Sequence, residues 1–498
     1  MGQEIDRDTF DPADYDRFDA RVRRCMDALG ELLARPGFGT GPASLGAEVE
    51  LALVDSGAHA LPLNHEVIAA LGDPRVTVEL VRFNLEYNDP PHLLAGRPFA
   101  ALERSLAAAI ARLGDAAAPF GGRIAAVGIL PTIREADLGG ALSDVHRFRA
   151  LSHGLRRLRQ RAFTIRISGR EPLDTTWGDL TLEGANTGFQ VHLRVAPDDF
   201  ARTYNAAQIA TAPALACAGN SPIFLGRRLW QETRIPLFRQ AIDDRDKLVG
   251  SRGPARVAFG HGWLRTGVEE IFAETVALYA PLLPVCGDDD PLAQVRSGGV
   301  PELSELRLHN GTVWRWNRPV YDPAGGGHLR LEMRALPAGP TPADMAANAA
   351  FLIGLTLALR DEEWMTVALP FRLADANFSR AAEHGLDAEL LWPAPRPPSP
   401  RPVQASRLVL GLVETARRGL VGAGVDPADA DRALGVVADR VEAGVTGSRW
   451  QLRTLERLEP RLSREEALPA MLELYLAAAA SGEPVHRWPQ GVNTRGTP

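Results

Sequence analysis

Four short segments of the chain alternate apolar and polar residues with a period of two. This alternation predicts β-strands that bury one face and present polar side chains on the other. The polar faces are rich in Glu, Asn, Gln, His and Arg. The predicted strands are Ala47–Val54, Phe83–Asn88, Phe189–Val195 and His328–Leu336.

Longer segments have the apolar spacing of amphipathic or buried α-helices. Because these helices and the strands do not alternate as regular βαβ units, the pattern favours an α+β fold over a doubly wound parallel sheet. The main predicted helices are Ala100–Ala118, Ala206–Ala218, Met345–Arg360, Val403–Gly422, Pro427–Gly444 and Arg464–Ala480.

A proline-rich segment, Pro393–Pro402 (PAPRPPSPRP), predicts a stiff linker or a surface strap. It divides the chain into a first domain at residues 1–392, which includes an N-terminal helix, and a helical segment at residues 403–498 that packs on this domain. The most apolar stretch, Met345–Leu359, is too short to span a bilayer.

The polar faces of the predicted strands carry groups that bind ions. A solvated face of an antiparallel sheet would give the same alternation, so that interpretation stays open for any single strand. Solvent faces tend to use Lys and Thr, however, and these strands do not. Carboxylates that converge on one face repel each other unless divalent cations lie between them. Oxygen ligands suit Mg²⁺ or Mn²⁺, and neighbouring Arg suits phosphate or carboxylate groups. The polar positions include Glu48, Glu50, Glu86, Gln190, His192, Arg194, Arg330, Glu332 and Arg334.

Composition and charge exclude several classes of function. The chain has 498 residues and a net charge of −7, from 55 basic and 62 acidic residues. This balance gives no basic excess for nucleic acid or anionic membranes. The acidic N-terminus has no apolar signal-peptide core, and Cys25, Cys217 and Cys286 fit neither a disulfide framework nor a zinc site. We therefore expect a cytoplasmic protein without nucleic-acid or membrane partners.

Lysine is nearly absent from the chain. Lys247 is the single lysine, so 54 of the 55 basic residues are Arg. A GxxxxGK[ST] phosphate loop and the strand lysine of protein kinases are therefore excluded. Any phosphate chemistry has to use Arg, metal ions or backbone groups.

Several short motifs follow one another along the chain. They are GAEVE (Gly46–Glu50), NLEYN (Asn84–Asn88), FQVHLRV (Phe189–Val195), Asn220-Ser221-Pro222 with Gly226, Glu232-Thr233-Arg234, Glu332-Met333-Arg334, NFSRAAEHG (Asn377–Gly385) and TGSRWQ (Thr446–Gln451). In this order they resemble the motifs of bacterial and plant-type glutamate–cysteine ligases and their carboxylate–amine ligase relatives, a group similar in fold to glutamine synthetase. In the SxR pattern that is more usual in this group, a Ser and one further residue precede the arginine. In this chain Glu232 and Thr233 stand at those two positions, before Arg234.

The resemblance implies a glutamine synthetase-like fold, a curved antiparallel sheet of about six strands with helices on the convex side. The active site would lie on the concave face. ATP would phosphorylate a carboxylate, and an amine would then displace phosphate from the acyl phosphate. The implied substrates are a glutamate-like acid and a cysteine-like amine, giving γ-glutamylcysteine, and the implied cofactors are ATP and Mg²⁺ or Mn²⁺.

Residue by residue, the resemblance implies two metal sites. The ligands of an ion at the triphosphate would be Glu48, Glu332 and Gln190. The ligands of an ion near the acid would be Glu50, Glu86 and Glu79. His192 lies on the same face as Gln190 and is the other candidate ligand, unless it packs or stacks on a base. Glu79 alternatively is a surface acid that ends the strand Val76–Val81.

Arg and Trp side chains are the other implied contacts. Arg334 would contact the phosphoryl group in transit. Arg234 would contact the phosphates or the acid, with a plain salt bridge as its alternative. In the run His309–Arg318 (HNGTVWRWNR), Trp314 could stack on a base and its Arg neighbours could bind a carboxylate. HNGT could equally form a turn between strands.

Two other functions stay open. A phosphotransferase on the same scaffold would release a stable phosphorylated acceptor instead of an amide. A catalytically lapsed relative would bind nucleotide without turnover. Gln190 and the Glu-Thr pair before Arg234 keep this second alternative open.

The lysine count yields a prediction about Lys247. Because the implied site holds ATP through carboxylate-bound metals and Arg, Lys247→Arg should keep the kcat and KM of the unmodified enzyme. Steady-state kinetics of the two proteins would check this. Loss of turnover would mean that the phosphates depend on this lysine.

Overall fold

The computed structural model describes residues 5–159, 161–245, 253–395 and 398–489, and Lys247 lies outside them. The strands are β1 Ser44–Val54, β2 Val76–Val78, β3 Asn84–Leu93, β4 Arg123–Ala125, β5 Phe163–Ile167, β6 Leu173–Trp177, β7 Phe189–Val195, β8 Ile223–Phe224, β9 Arg227–Arg228, β10 Asn317–Asp322, β11 His328–Met333, β12 Glu389–Pro395 and β13 Pro398–Gln404. The α-helices are α1 Pro12–Leu33, α2 Asn64–Leu71, α3 Pro98–Ala117, α4 Glu135–Leu138, α5 His146–Arg159, α6 Phe200–Ala218, α7 Arg234–Ala241, α8 Glu269–Leu278, α9 Pro291–Arg296, α10 Ser304–Gly311, α11 Pro342–Leu359, α12 Trp364–Ala368, α13 Phe371–His384, α14 Ala405–Gly422, α15 Pro427–Ala443, α16 Gly447–Leu458 and α17 Arg464–Ala479.

The main sheet is antiparallel and has the strand order β10-β11-β7-β1-β3-β2, with the short β4 also paired to β1. It curls into a half-barrel of six strands. Along β1, Val49, Leu51 and Leu53 are fully buried, whereas Glu48 and Glu50 alternate with them and are partly exposed. The predicted α+β fold with a curved antiparallel sheet is therefore confirmed.

Helices pack on the apolar side of this sheet. α3 packs on β3, α11 contacts β7, and α6, α14 and α15 pack around α11. Arg440 of α15 donates to Asp344 Oδ1 of α11 at 2.8 Å, which adds a buried ion pair to this packing. Division of the chain into residues 1–392 and 403–498 stays a prediction.

Helix α11 is the most apolar helix of the described chain. Its 18 residues are long and apolar enough, by length and composition alone, to cross a membrane, although the shorter stretch Met345–Leu359 was expected to fall below that length. Of that window, 89% is buried inside the protein. The helix is apolar on most of its surface because it is surrounded by α3, α6, α14 and α15.

The proline-rich segment forms part of a hairpin rather than an extended linker. β12 and β13 pair antiparallel, with Pro393 opposite Pro400 and Leu391 opposite Pro402. The prolines occupy alternate positions, as a two-stranded ladder allows when the missing N–H groups face outward. Composition alone suggested a stiff strap, and it did not reveal this period of two.

The strand predicted at His328–Leu336 is shorter in the structure. β11 ends at Met333, although the Arg334 amide still donates at 2.8 Å to the carbonyl of Trp316, which is the next residue opposite it in the β10–β11 register. Each main predicted helix is present, and the largest difference is at α6, which begins at Phe200 instead of Ala206.

The crossing of α11 and α14 yields a stability prediction. A Cβ at Gly419 would lie 2.1 Å from the Gly354 carbonyl oxygen, whereas a Cβ at Gly411 of the same helix would meet no atom within 4 Å. Gly419→Ala should therefore lower the free energy of unfolding by ~1–3 kcal/mol. Gly411→Ala should raise it by ~0.5–1 kcal/mol through helix propensity. Urea unfolding of both variants checks this, and equal effects would contradict the close approach of the two helices.

Candidate active site

A first cluster of ionisable side chains lies across three neighbouring strands. Glu48 of β1, His192 of β7 and Glu332 of β11 each offer one ligand atom, and these atoms lie within 4.8 Å of one another. His192 Nε2 is 3.3 Å from Glu48 Oε1 and 3.7 Å from Glu332 Oε1. The register explains the meeting, because His192 lies opposite Glu332 while Glu48 lies opposite Gln190 on the other side of β7.

Both carboxylates of this cluster are held ionised. Burial raises the pKa of Glu48 and the His192 imidazole lowers it, and the net effect is a pKa of about 2. Burial also opposes ionisation of Glu332, and the guanidinium groups of Arg318 and Arg334 hold its pKa well below the usual range. Arg318 Nε lies 2.5 Å from Glu332 Oε2. Neither ring nitrogen of His192 makes a hydrogen bond in the described part of the chain, so an imidazole and two carboxylates here fit a divalent cation.

A second cluster consists of carboxylates only. Glu50 of β1, Glu86 of β3 and Glu79, which directly follows β2, bring one oxygen each to within 4.8 Å of one another. Glu50 lies opposite Glu86 in the sheet, and the Ser143 hydroxyl donates to the Glu79 carbonyl. The resemblance implies that Glu79 joins Glu50 and Glu86, and the structure brings the three carboxylates together. Their role as metal ligands stays a prediction.

Burial and nearby carboxylates raise the pKa of each member of the second cluster. Burial, then Glu48 of the first cluster and Glu50, raise the pKa of Glu86 to about 7. Burial, then Glu86 and Glu50, raise the pKa of Glu79 well above its ordinary value. Burial likewise raises the pKa of Glu50, although the Gly188 amide donates to its Oε2 at 2.6 Å. A bound divalent cation would remove this repulsion, and all-oxygen ligands are those that Mg²⁺ and Mn²⁺ prefer.

Gln190 and Arg334 lie between the two clusters. Gln190 Nε2 donates to Glu50 Oε1 at 3.0 Å, and its Oε1 accepts from Arg334 Nη1. Arg334 Nη1 is also 3.4 Å from Glu332 Oε1. The amide of Gln190 therefore bridges a carboxylate and a guanidinium, whereas His192 lies beside Glu48 and Glu332. Of the two candidate ligands on β7, the geometry favours His192.

Arg234 borders the second cluster. Its Nε donates to Glu232 Oε1 at 2.8 Å, and its Nη2 donates to the Ala335 carbonyl at 2.6 Å. A Cβ placed on Gly188 would lie 3.4 Å from Arg234 Nη1 and 3.5 Å from Glu50 Oε2. The salt bridge considered for Arg234 is thus present, and the remaining nitrogen of the guanidinium lies near Glu50.

The run His309–Arg318 only partly reaches the clusters. His309, Asn310 and Gly311 form the last turn of α10, so HNGT is not a turn between two strands. Trp314 packs edge-on against Phe238, with ring centroids 6.2 Å apart, and its contact with a nucleotide stays a prediction. Within this run, Arg318 is the side chain that joins a cluster, through Glu332.

Two further charged residues near the second cluster were not identified from the sequence. Glu183, in a short turn before β7, interacts with Glu50 and Arg334. Burial, and to a smaller extent the charge of Glu50, raise the pKa of Glu183 to about 8. Arg147, in the first turn of α5, interacts with Arg318, Glu79 and Glu86, and burial lowers its pKa. Neither lies on a strand, so the period of two gave no signal. Arg147 also stands in an Arg-rich helix where composition singles out no position.

The half-barrel sheet matches the fold of glutamine synthetase-like ligases. Residues 44–473 match the family model described as "Glutamate-cysteine ligase family 2 (GCS2)". The chain therefore belongs to glutamate–cysteine ligase family 2, a family of carboxylate–amine ligases.

Three solved structures are similar to this chain, and the first of these agrees with its fold. A glutamate–cysteine ligase from Francisella tularensis in complex with AMP superposes with a TM-score of 0.55 at 12% identity, over 88% of this chain and 89% of that chain. A bifunctional glutathione synthetase from Pasteurella multocida has a TM-score of 0.45 and 14% identity, over 92% of this chain and 55% of that one. The ligase PafA in complex with the ubiquitin-like protein Pup has a TM-score of 0.40 and 10% identity, over 88% and 72%. No curated protein matches the chain.

The two clusters yield a prediction about cation binding. Mn²⁺ titration followed by electron paramagnetic resonance should give two bound ions per chain, and Glu48→Gln and Glu86→Gln should each remove one. Because the Glu86 pKa is about 7, binding at the second cluster should strengthen between about pH 6 and about pH 8 as its proton leaves.

The control for this titration is Glu302→Gln, which alters an exposed carboxylate paired with Arg307 and should keep both ions. Binding of no ion, or unchanged binding in both cluster variants, would contradict the two-site interpretation.

Proposed function

We propose that this protein is an ATP-dependent carboxylate–amine ligase that uses Mg²⁺ or Mn²⁺ and forms its amide through an acyl phosphate. Glutamate is the proposed acid and cysteine the proposed amine. The observation that carries the proposal is the pair of clusters on one sheet face, joined by Arg334. Two cation sites with an arginine between them suit phosphoryl transfer from a polyphosphate to an acid.

The residues divide into three roles. Glu48, His192 and Glu332 would hold a cation at the ATP phosphates. Glu50, Glu79 and Glu86 would hold one near the acid substrate. When bound, these cations reduce repulsion between the anionic acid and ATP. Arg334 would contact the phosphoryl group as it moves, and Gln190, which accepts from Arg334 Nη1, would orient it.

The chemistry follows in two balanced steps. A carboxylate oxygen of the acid attacks the γ-phosphorus, the bond to the β–γ bridging oxygen breaks, and ADP leaves. The amine nitrogen then attacks the acyl carbon, gives up a proton, and inorganic phosphate leaves. The contribution of the chain is to align the reactants and to place fixed positive charge where negative charge develops.

The arginine side chains beside the second cluster support an anionic acid as the substrate. Arg147 interacts with Glu79 and Glu86, and Arg234 Nη1 lies near Glu50. A dicarboxylic amino acid offers one carboxylate for phosphorylation and a second for one of these guanidinium groups. Use of ATP and a small amino acid also supports the predicted cytoplasmic location and small-molecule partners.

Gln190 and Glu232, which depart from the usual family pattern, both have a structural role in this site. Gln190 bridges Glu50 and Arg334, and Glu232 pairs with Arg234. A phosphotransferase with a reactive cysteine has little support, because burial raises the pKa of Cys217 to about 11 and raises that of Cys286 as well.

The test is a ligase assay with an amine panel. Purified protein with Mg-ATP, glutamate and cysteine should release ADP and yield an amide detected by mass spectrometry. Glu48→Ala and Arg334→Ala should each lower kcat/KM at least about 100-fold, since each removes a group that acts on the transferring phosphate. Glu302→Ala, at an exposed ion pair, should keep full activity.

Each alternative outcome has its own signature. ADP release at background with every amine would refute the ligase, as would full activity in both Glu48→Ala and Arg334→Ala. Nucleotide binding without turnover would indicate a lapsed relative. A stable phosphorylated acceptor would indicate a phosphotransferase.

A further inference from the structure

Two motifs named from the sequence, Asn220-Ser221-Pro222 and Thr446–Gln451, contribute no member to either cluster. They meet instead around Glu232, whose side chain is 0% exposed. Glu232 Oε1 accepts from Arg234 Nε at 2.8 Å and from the Ser221 hydroxyl. Its Oε2 accepts from the backbone N–H of Asn220 at 2.9 Å. A buried carboxylate with three donors is fully satisfied, which offsets its desolvation.

The C-terminal helices hold the loop that supplies these donors. Asn220 Oδ1 accepts from Gln451 Nε2 of α16 at 2.9 Å, and Asn220 Nδ2 donates to the Tyr475 hydroxyl of α17 at 2.8 Å. The Ser221 amide donates to Ser448 Oγ of α16 at 3.2 Å. A Cβ on Gly447 would lie 2.1 Å from Asn220 Oδ1, so the start of α16 packs directly on this loop.

These contacts determine where the guanidinium of Arg234 points. Glu232 engages Nε, and the Ala335 carbonyl engages Nη2. The geometry of the planar fork then leaves Nη1 beside Gly188 and Glu50, at the border of the second cluster. Without Glu232, the long and flexible side chain of Arg234 would lose one of the acceptors that hold its guanidinium.

We propose that Glu232 is a positioning residue for Arg234, and that helices α16 and α17 support the active site through Asn220 and Ser221. This inference rests on the proposed function, because it gives Arg234 a task at the acid substrate. It assigns a role in substrate binding to a segment outside the half-barrel sheet. It also explains why this chain has Glu232 where Ser is more usual, since a carboxylate pairs with an arginine more strongly than a neutral side chain does.

The experiment compares Glu232→Gln with a closely matched control, Glu305→Gln. Glu305 is another buried carboxylate, and it accepts from Arg21 Nε at 2.8 Å and from the Gly287 amide at 2.9 Å, between α1 and α10. Glu232→Gln should lower kcat/KM for the acid by about 10- to 100-fold. Its KM for Mg-ATP should stay within about twofold, and Glu305→Gln should leave both parameters within about twofold while lowering Tm comparably.

A double-mutant cycle separates positioning from general destabilisation. Arg234→Met should lower kcat/KM for the acid, and Glu232→Gln combined with Arg234→Met should be no worse than Arg234→Met alone. If Glu232→Gln alone fails to fold, Gln451→Leu tests the same path from α16 and should raise the KM for the acid. Its control is Asn377→Leu, which removes a buried amide that bonds both backbone groups of Leu391.

Three results would overturn the inference. They are an active Glu232→Gln enzyme with the kinetics of Glu305→Gln, multiplicative effects of Glu232→Gln and Arg234→Met, and Gln451→Leu kinetics equal to those of Asn377→Leu. Absence of turnover in the unmodified enzyme would be a different failure, because it would refute the proposed function and this inference together.

Discussion

The mutual repulsion of carboxylates on one face of a sheet is the constraint on which the rest of the site depends. Burial and neighbouring carboxylates, including Glu48 of the first cluster, raise the pKa values of Glu50, Glu79 and Glu86. Such a cluster lowers the stability of the folded protein in the absence of cations, and a bound cation would offset this cost. The nearby cluster of Glu48, His192 and Glu332 differs because His192, Arg318 and Arg334 already compensate its charge.

The sheet register and the helical layers keep this arrangement rigid. Antiparallel pairing fixes Glu50 opposite Glu86 and Glu332 opposite His192. A slip of one residue would turn every one of these side chains to the apolar side, where helices such as α11 pack. The same apolar residues that make the strands buried on one face therefore determine which polar residues meet on the other.

A period of two carries information about faces, so the sequence predicted that Glu48, Glu50, Glu86, His192 and Glu332 lie on the polar faces of their strands, where the structure brings them into two clusters. Their roles as ligands, and the inclusion of Glu79, come from the resemblance and stay predictions. The choice between Gln190 and His192 could not be made, since both lie on one face and only cross-strand register separates them. Arg147 and Glu183 come from a helix and a turn, so their approach to the site depends on tertiary packing. The pairing of β12 with β13 did not follow from the sequence for a related reason, because a proline-rich composition does not show the alternation that lets the two strands pair.

Anomalous diffraction tests directly whether each cluster binds a cation. Crystals of the full chain grown with Mn²⁺ and a non-hydrolysable ATP analogue should give two anomalous peaks. One peak should lie among Glu48, His192 and Glu332, and the other among Glu50, Glu79 and Glu86. Peaks elsewhere, or no peak at either cluster with the nucleotide analogue bound, would contradict the account.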